Sequence, residues 1–437
     1  MSDLVLTARA ILFRPDDLVD GGGLLVRRGV IVRVLRTRAA VGRAAAAAST
    51  ELVDAGDVVL TPGLVDAHSH LELSGLRGRL PRTGSFTGWI QALLRERAAL
   101  DPERIAADIR AGADRLLATG TTACGDIDSG SDVARALTRH PVRMRSYREV
   151  LDANDPTRTA SALRAFDAWA PRRARTARGV SPHAPYTVSD ALFRALALRA
   201  RRKKLAVAIH WAETEEESRW LEHGDGPMSA LLAQSPRTRG LDAIDACGLL
   251  GARTALVHGN HPGVDDRRRI AASGAVLVHC PGTHAFFARE SFDLRAWFDA
   301  GVEVALGTDS LASNADLDMR REMQLLRAAH PWLAPARAWD MATRSAARAL
   351  GFVGRAGELV PGAWADVCAH ETPEHGRGSD AARAASLLEA LTSGAAKLRA
   401  VWIGGVEHDP TRKRPHGRGG RQENSPGNSE IRSGIAE

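Results

Sequence analysis

Two histidines one residue apart, His68 and His70 in "LTPGLVDAHSHLELSG", follow an apolar run and precede a glutamate, Glu72. On a β-strand alternate side chains share a face, so such a pair can grip one metal ion. A catalytic zinc takes three protein ligands, leaves a position for water and can expand to five-coordination. His210 in "LAVAIHWAETEEE" offers a third neutral imidazole, and Asp309 in "ALGTDSLASN" offers a carboxylate. Water on such an ion loses a proton near neutral pH. Glu213, three residues beyond His210, can then shuttle the proton that a leaving group needs. His258 in "LVHGN" is the candidate to hydrogen-bond the water or stabilise charge during attack, while His279 and His284 in "HCPGTHAFF" divide between pocket lining and structural support.

These residues need elements that bring them together. Between residues 60 and 310 the chain repeats a short apolar run, a polar loop and an amphipathic Ala/Leu/Arg stretch. The runs are "GLVDAH", "TTACGDI", "VRMRSYREV", "RGVSPH", "LAVAIH", "TALVHGN", "AVLVHC" and "VEVALGTDS". Eight strands alternating with helices predict a parallel (β/α)8 TIM-type barrel, an α/β fold whose active site lies where the strands end. His68, His183, His210, His258, His279 and Asp309 each fall at the C-terminal end of a different run, and scattered surface histidines would not choose that register. Residues 1–59 and 356–408 hold shorter β-like pieces and are expected to form one small β-sandwich from both termini, flanking a metal-dependent barrel over 60–355. The segment 409–437 has little apolar content and is expected to be a disordered basic tail.

The composition agrees with this layout. At 437 residues the chain exceeds one barrel, and its 44 % hydrophobic but 5 % aromatic content suits parallel strands under alanine-rich helices. The net charge of +7 raises the question of nucleic acid, yet the tail from Pro410 carries six Arg or Lys against three Glu, and no basic stripe interleaved with aromatics runs through the body. Nucleic-acid binding is therefore not expected. The four cysteines, Cys124, Cys247, Cys280 and Cys368, form no Cys-x-x-Cys pair, which argues against a disulfide framework or a zinc knuckle. With no basic leader before a long apolar segment and no run of spanning length, the expectation is a soluble cytoplasmic protein with no membrane partner.

In family order and from end to end of the barrel, "PGLVDAHSH", "SPHAPYTVS", "HWAETEEE", "LVHGN", "HCPGTH" and "GTDSLASN" resemble the amidohydrolase superfamily, in particular its aminohydrolase branch of deaminases and triazine hydrolases. The resemblance implies His68, His70, His210 and Asp309 as metal ligands, with Glu213 and His258 as the acid/base pair and Asp309 also catalytic. Strand four ends "GVSPHAPY", without the lysine of the two-metal members, so one divalent ion is implied, zinc first with iron or manganese as alternatives. "HSHLELSG", "GSFTGWI" and "ETEEESRWLEHGDGP" further resemble the aminodeoxyfutalosine deaminase subgroup. That carries Glu72, His183 and Trp89 over as substrate contacts, with Trp220 as a further pocket wall. Arg148 and Arg77 are the arginines placed to meet a carboxylate. The implied activity is hydrolytic deamination of an aminated N-heterocycle or nucleoside, 6-amino-6-deoxyfutalosine or a related adenine nucleoside being the sharpest candidate. A hydrolase releasing chloride or alkylamine from a triazine-like ring is the alternative. An inactive barrel scaffold would show eroded ligands, and all are present. Members of the family often pair, so a homodimer is also an expectation.

Overall fold

The computed structural model describes residues 3–82, 84–169, 176–372 and 379–410. Its central sheet contains eight strands, numbered here β1 (Leu64–Ser69), β2 (Thr121–Asp128), β3 (Arg143–Val150), β4 (Ala177–Pro182), β5 (Ala206–Trp211), β6 (Thr254–His258), β7 (Val276–His279) and β8 (Glu303–Leu306). They follow one another in chain order, and every ladder is parallel. Closure comes from the β1 and β8 ends, where the Asp309 N–H donates to the His68 carbonyl at 2.9 Å and the His70 N–H to the Asp309 carbonyl at 3.1 Å. The expected (β/α)8 barrel is thus present, with all eight apolar runs as its staves.

Strand alternation sorts side chains into two cores. In β5, Ala206 and Ala208 face the barrel interior, which small residues such as Ala123, Ala255 and Ala305 also fill, and Val207, Ile209 and Trp211 face the helix layer. His210 continues the inward register of Ala206 and Ala208. Gly307 serves the same closure, since a Cβ there would lie 2.9 Å from the His68 Cβ, closer than packed carbons tolerate.

The helices carry matching local signals. Asp101 caps Pro102–Ala118 by accepting from the Arg104 N–H, and Ser189 caps Asp190–Lys203 by accepting from the Leu192 N–H. In the first of these, Ile109, Gly112, Ala113, Leu116 and Leu117 form one buried stripe at helical spacing.

The terminal segments build two further sheets. One orders Val30–Leu35, Gly23–Arg27, Asp3–Thr7 and Thr50–Asp54; the other orders Val406–His408, Lys397–Ile403, Val367–Glu371, Val59–Pro62, Ala10–Arg14 and Asp17–Asp20, so both ends of the chain share it. Leu6, Ile11, Leu24, Ile31, Val367 and Trp402 belong to their common core. Between these C-terminal strands lies the helix Asp380–Ser393, whose Leu387, Leu388 and Leu391 pack into the helix layer of the barrel. All four cysteines are free and buried. Among the described residues no helix is long and apolar enough to cross a membrane. The tail expected to be disordered lies, from residue 411 onward, outside the described residues.

Candidate active site

At the C-terminal mouth of the barrel, His68, His70 and His210 bring three ring nitrogens within 4.8 Å of one another. His70 Nε2 lies 3.2 Å from His210 Nε2. Asp309 Oδ1 stands 3.5 Å from His68 Nε2 and 3.6 Å from His70 Nε2. His210 is oriented by its Nδ1, 3.1 Å from the His183 carbonyl, which leaves Nε2 for the centre of the site. Asp66 holds the other side: its carboxylate accepts from the Thr308 and His68 N–H groups and the Thr308 hydroxyl.

Electrostatics prepare these groups for a cation. Burial and neighbouring imidazoles push His70 down to about 3, and the same causes hold His210 well below the usual histidine range, so both rings are neutral with free lone pairs at pH 7. Burial alone would raise Asp309, but the surrounding imidazoles, His68 first, hold it low, as a carboxylate. His68 Nε2 is buried with no full hydrogen bond from protein. An orphaned imidazole nitrogen facing two others and a carboxylate is what a divalent ion requires, so the donor set fits a metal.

Two site residues escape simple alternation. His258 shares its register with Thr254 and Leu256, of which Leu256 packs into the helix layer, yet His258 adopts φ 79° and turns into the site. Asp309 adopts φ 57° and Ala212, at the bend before Glu213, φ 50°. Left-handed backbone at non-glycine residues is strained and concentrates at functional sites. The Glu213 Oε2 comes within 3.5 Å of His258 Nε2.

A cavity of about 330 Å³ opens beside this cluster. Its walls include His70, His210, Glu213, His258 and Asp309 at one end and Phe86, Trp89, Ile90, Leu93, Met228 and Phe287 along the sides. The wall helix Phe86–Ala98 is fixed by Glu216, which accepts from the Phe86 and Thr87 N–H groups at 3.0 and 2.9 Å. Trp89 lines the cavity, as do Glu72 and His183. Glu72 arrives already engaged: Arg97 Nη2 lies 3.0 Å from its Oε1, and the Ser129 and Ser131 hydroxyls donate to its two oxygens. Burial raises the Glu72 carboxyl, against the pull of these donors. His183 is held by its Nδ1, 2.6 Å from the Thr187 hydroxyl.

Other expected contacts lie elsewhere. Arg148 does not line the cavity; its Nη1 sits 3.7 Å from the Asp128 carboxylate and 3.4 Å from the Asp128 carbonyl. The reason is register: in β3 Tyr147 faces the barrel interior, Met144 and Val150 face outward with Arg148, and the inward neighbour is Glu149. Glu149 lines the cavity 3.9 Å from His183 Nε2, and burial pushes its carboxyl up to about 7 despite Arg97 and Arg148. Arg77 is exposed at the end of the turn Leu71–Leu76. Trp220 is buried behind the wall, and His279 stacks on Phe292 at 3.9 Å while His284 Nε2 meets the Glu290 carbonyl at 2.5 Å. The last three support the site without lining it. Sequence reasoning missed Glu149, which alternation from an inward Tyr147 reveals, and Arg289, whose Nη2 lies 2.9 Å from Glu213 Oε1 and which no local pattern signals.

The model of the amidohydrolase family matches residues 59–406. A 5-methylthioadenosine/S-adenosylhomocysteine deaminase of Halobacterium salinarum is 33 % identical over 413 residues, covering 88 % of this chain and 90 % of the relative. An aminodeoxyfutalosine deaminase of Deinococcus radiodurans is 34 % identical over 300 residues, covering 63 % of this chain and 70 % of the relative. Among solved structures, a zinc-bound adenosine deaminase from Xanthomonas campestris superposes with a TM-score of 0.74 at 26 % identity, covering 93 % of this chain and 92 % of the other. Helicobacter pylori aminofutalosine deaminase in complex with methylthio-coformycin shares the fold, with a TM-score of 0.80 at 21 % identity over 92 % of this chain and 99 % of the other. Barrel, donor cluster and family match agree: the chain belongs to the amidohydrolase family and is a hydrolytic enzyme of that family.

Proposed function

We propose that this protein is a zinc-dependent deaminase of an adenine nucleoside, in which His68, His70, His210 and Asp309 hold the ion and Glu213 carries the proton. The observation that supports it most is the adjacency of Glu213 and His258 to the imidazole cluster at the open end of the barrel. When bound, the ion supplies Lewis acidity that makes water nucleophilic near neutral pH. Asp309 accepts a proton from the attacking water. Glu213 delivers a proton to the ring nitrogen beside the amine-bearing carbon, which makes that carbon electrophilic. His258 Nε2 stabilises the oxygen that adds there. The carbon–nitrogen bond then breaks: the amine takes the proton held by Asp309 and leaves as ammonia, while the new hydroxyl returns its proton to Glu213 and becomes the carbonyl.

The cavity walls narrow the substrate. Beyond the polar end they are mainly apolar, and among the described lining residues the one arginine, Arg97, is already paired with Glu72. An unpaired guanidinium suited to a substrate carboxylate is missing from that lining. This favours a nucleoside with an apolar far end, such as 5′-methylthioadenosine, over the carboxylate-bearing 6-amino-6-deoxyfutalosine; Glu72 and Glu149 are the acceptors for its sugar hydroxyls. Ammonia release by zinc-loaded protein from 5′-methylthioadenosine, S-adenosylhomocysteine, 6-amino-6-deoxyfutalosine and adenosine tests this, with chloride release from a chlorotriazine alongside. The methylthio compound is expected to give the highest kcat/KM. Faster turnover of the carboxylates overturns the substrate reading, and chloride release without ammonia overturns the deaminase reading.

A further inference from the structure

The Glu213 main chain and side chain are held by different groups. Its N–H donates to Glu217 Oε2 at 2.7 Å, and its carbonyl accepts from Asn260 Nδ2 at 3.0 Å. Its carboxylate meets Arg289 Nη2 at 2.9 Å through Oε1, and Oε2 lies 3.5 Å from His258 Nε2. Loss of the arginine therefore frees the carboxylate without loosening the backbone.

Arg289 is itself costly to place. Its side chain is 10 % exposed and Glu213's is 8 %, so both charges have left water. The guanidinium lies 4.6 Å from the Phe287 ring centroid and 6.0 Å from that of Phe86, two aromatic walls of the cavity. Its Nη1 is buried and meets no protein acceptor among the described residues. The preceding residue, Ala288, adopts φ 49°, a left-handed conformation that its Cβ disfavours. A buried pair is a poor source of stability beside apolar packing, because desolvation offsets the attraction. What this pair does secure is direction.

We propose that Arg289 is a positioning residue for Glu213, fixing the rotamer that presents Oε2 to His258 and the reacting centre. The inference rests on the reading of Glu213 as the proton carrier. Metal-loaded R289M and R289K are compared with the wild type by crystallography and by steady-state kinetics on 5′-methylthioadenosine. In R289M the Glu213 carboxylate is expected to swing away from His258 and kcat to fall roughly 100-fold, as when one preorganised donor is removed. KM should stay within about threefold, because the lost interaction acts in the transition state. R289K, which keeps the cation, should recover at least about tenfold of the loss, a rescue that a space-filling role would not give. If R289M does not fold, R289Q takes its place with the same expectations. An unmoved Glu213 carboxylate overturns the inference, as does an unchanged kcat or a loss confined to KM. If the wild type deaminates no nucleoside, the proposed function falls, and the position of Glu213 in the R289M crystal alone decides the role of Arg289.

Discussion

The two ends of the barrel are built from the same strands and differ in almost every other respect. At the N-terminal end the interior is plugged by Ala346, Ala347, Leu350 and Phe352, contributed by and following the helix Arg344–Ala349, and the rim carries half-exposed ion pairs such as Arg344–Asp340 at 2.7 Å. At the C-terminal end, buried imidazoles and carboxylates face a cavity, two of them, His258 and Asp309, at left-handed backbone. One end spends its residues on packing and the other holds charge out of water. Stability and chemistry should therefore separate cleanly under mutation.

The largest effect on chemistry should come from Glu213→Gln. It keeps the shape of the side chain and removes its proton transfer, so turnover should drop by roughly 10²- to 10⁴-fold with metal content unchanged. Asp309→Ala should lose metal as well as activity, and equal metal content and equal rates in the two variants would erase the division of roles between them. Metal analysis beside ammonia release reads both.

The opposite signature is expected at the plug. Leu350 is fully buried, and Leu350→Ala should cost about 2–5 kcal/mol in denaturant unfolding while kcat at moderate temperature stays near the wild type. A large kcat loss would show that the two ends are coupled. Glu149 gives a smaller effect with a sign that depends on pH. Its carboxyl is raised from an ordinary 4.5 to about 7, so the folded state favours the protonated form. The stability this contributes is present below the ordinary value and is lost as pH rises through about 7. In metal-stripped protein Glu149→Gln should therefore gain stability relative to the wild type between pH 5 and pH 8, and a pH-independent difference would contradict the assignment. The smallest effect belongs to Arg344→Ala, whose side chain is 46 % exposed, and the loss should be within about 1 kcal/mol.

The barrel was legible because its eight apolar runs are short, mostly buried and regularly spaced, and the clustered histidines because they sit at or just past the ends of such runs. Arg148 against Glu149 shows where reading from spacing alone stops: a one-residue change of register exchanges the residue facing the pocket for one facing the helices. His258 shows the reverse, since alternation would send it outward and only its backbone conformation brings it in. Arg289 lies 76 residues from Glu213, in a loop whose course depends on Ala288 and Phe287, so no periodicity could join the two. The terminal sheets were readable as short β pieces, but the helix Asp380–Ser393 among them was not, because its apolar face is defined by the barrel helices it covers.

The role of Glu213 in deamination is tested most directly by ammonia release from 5′-methylthioadenosine by wild type and Glu213→Gln, each loaded with zinc to one ion per chain. Steady turnover by the wild type is expected, with a loss of at least about 100-fold in the variant at equal metal content. Equal rates in the two proteins, or a fully metallated wild type that releases no ammonia from this or any other adenine nucleoside, would contradict it.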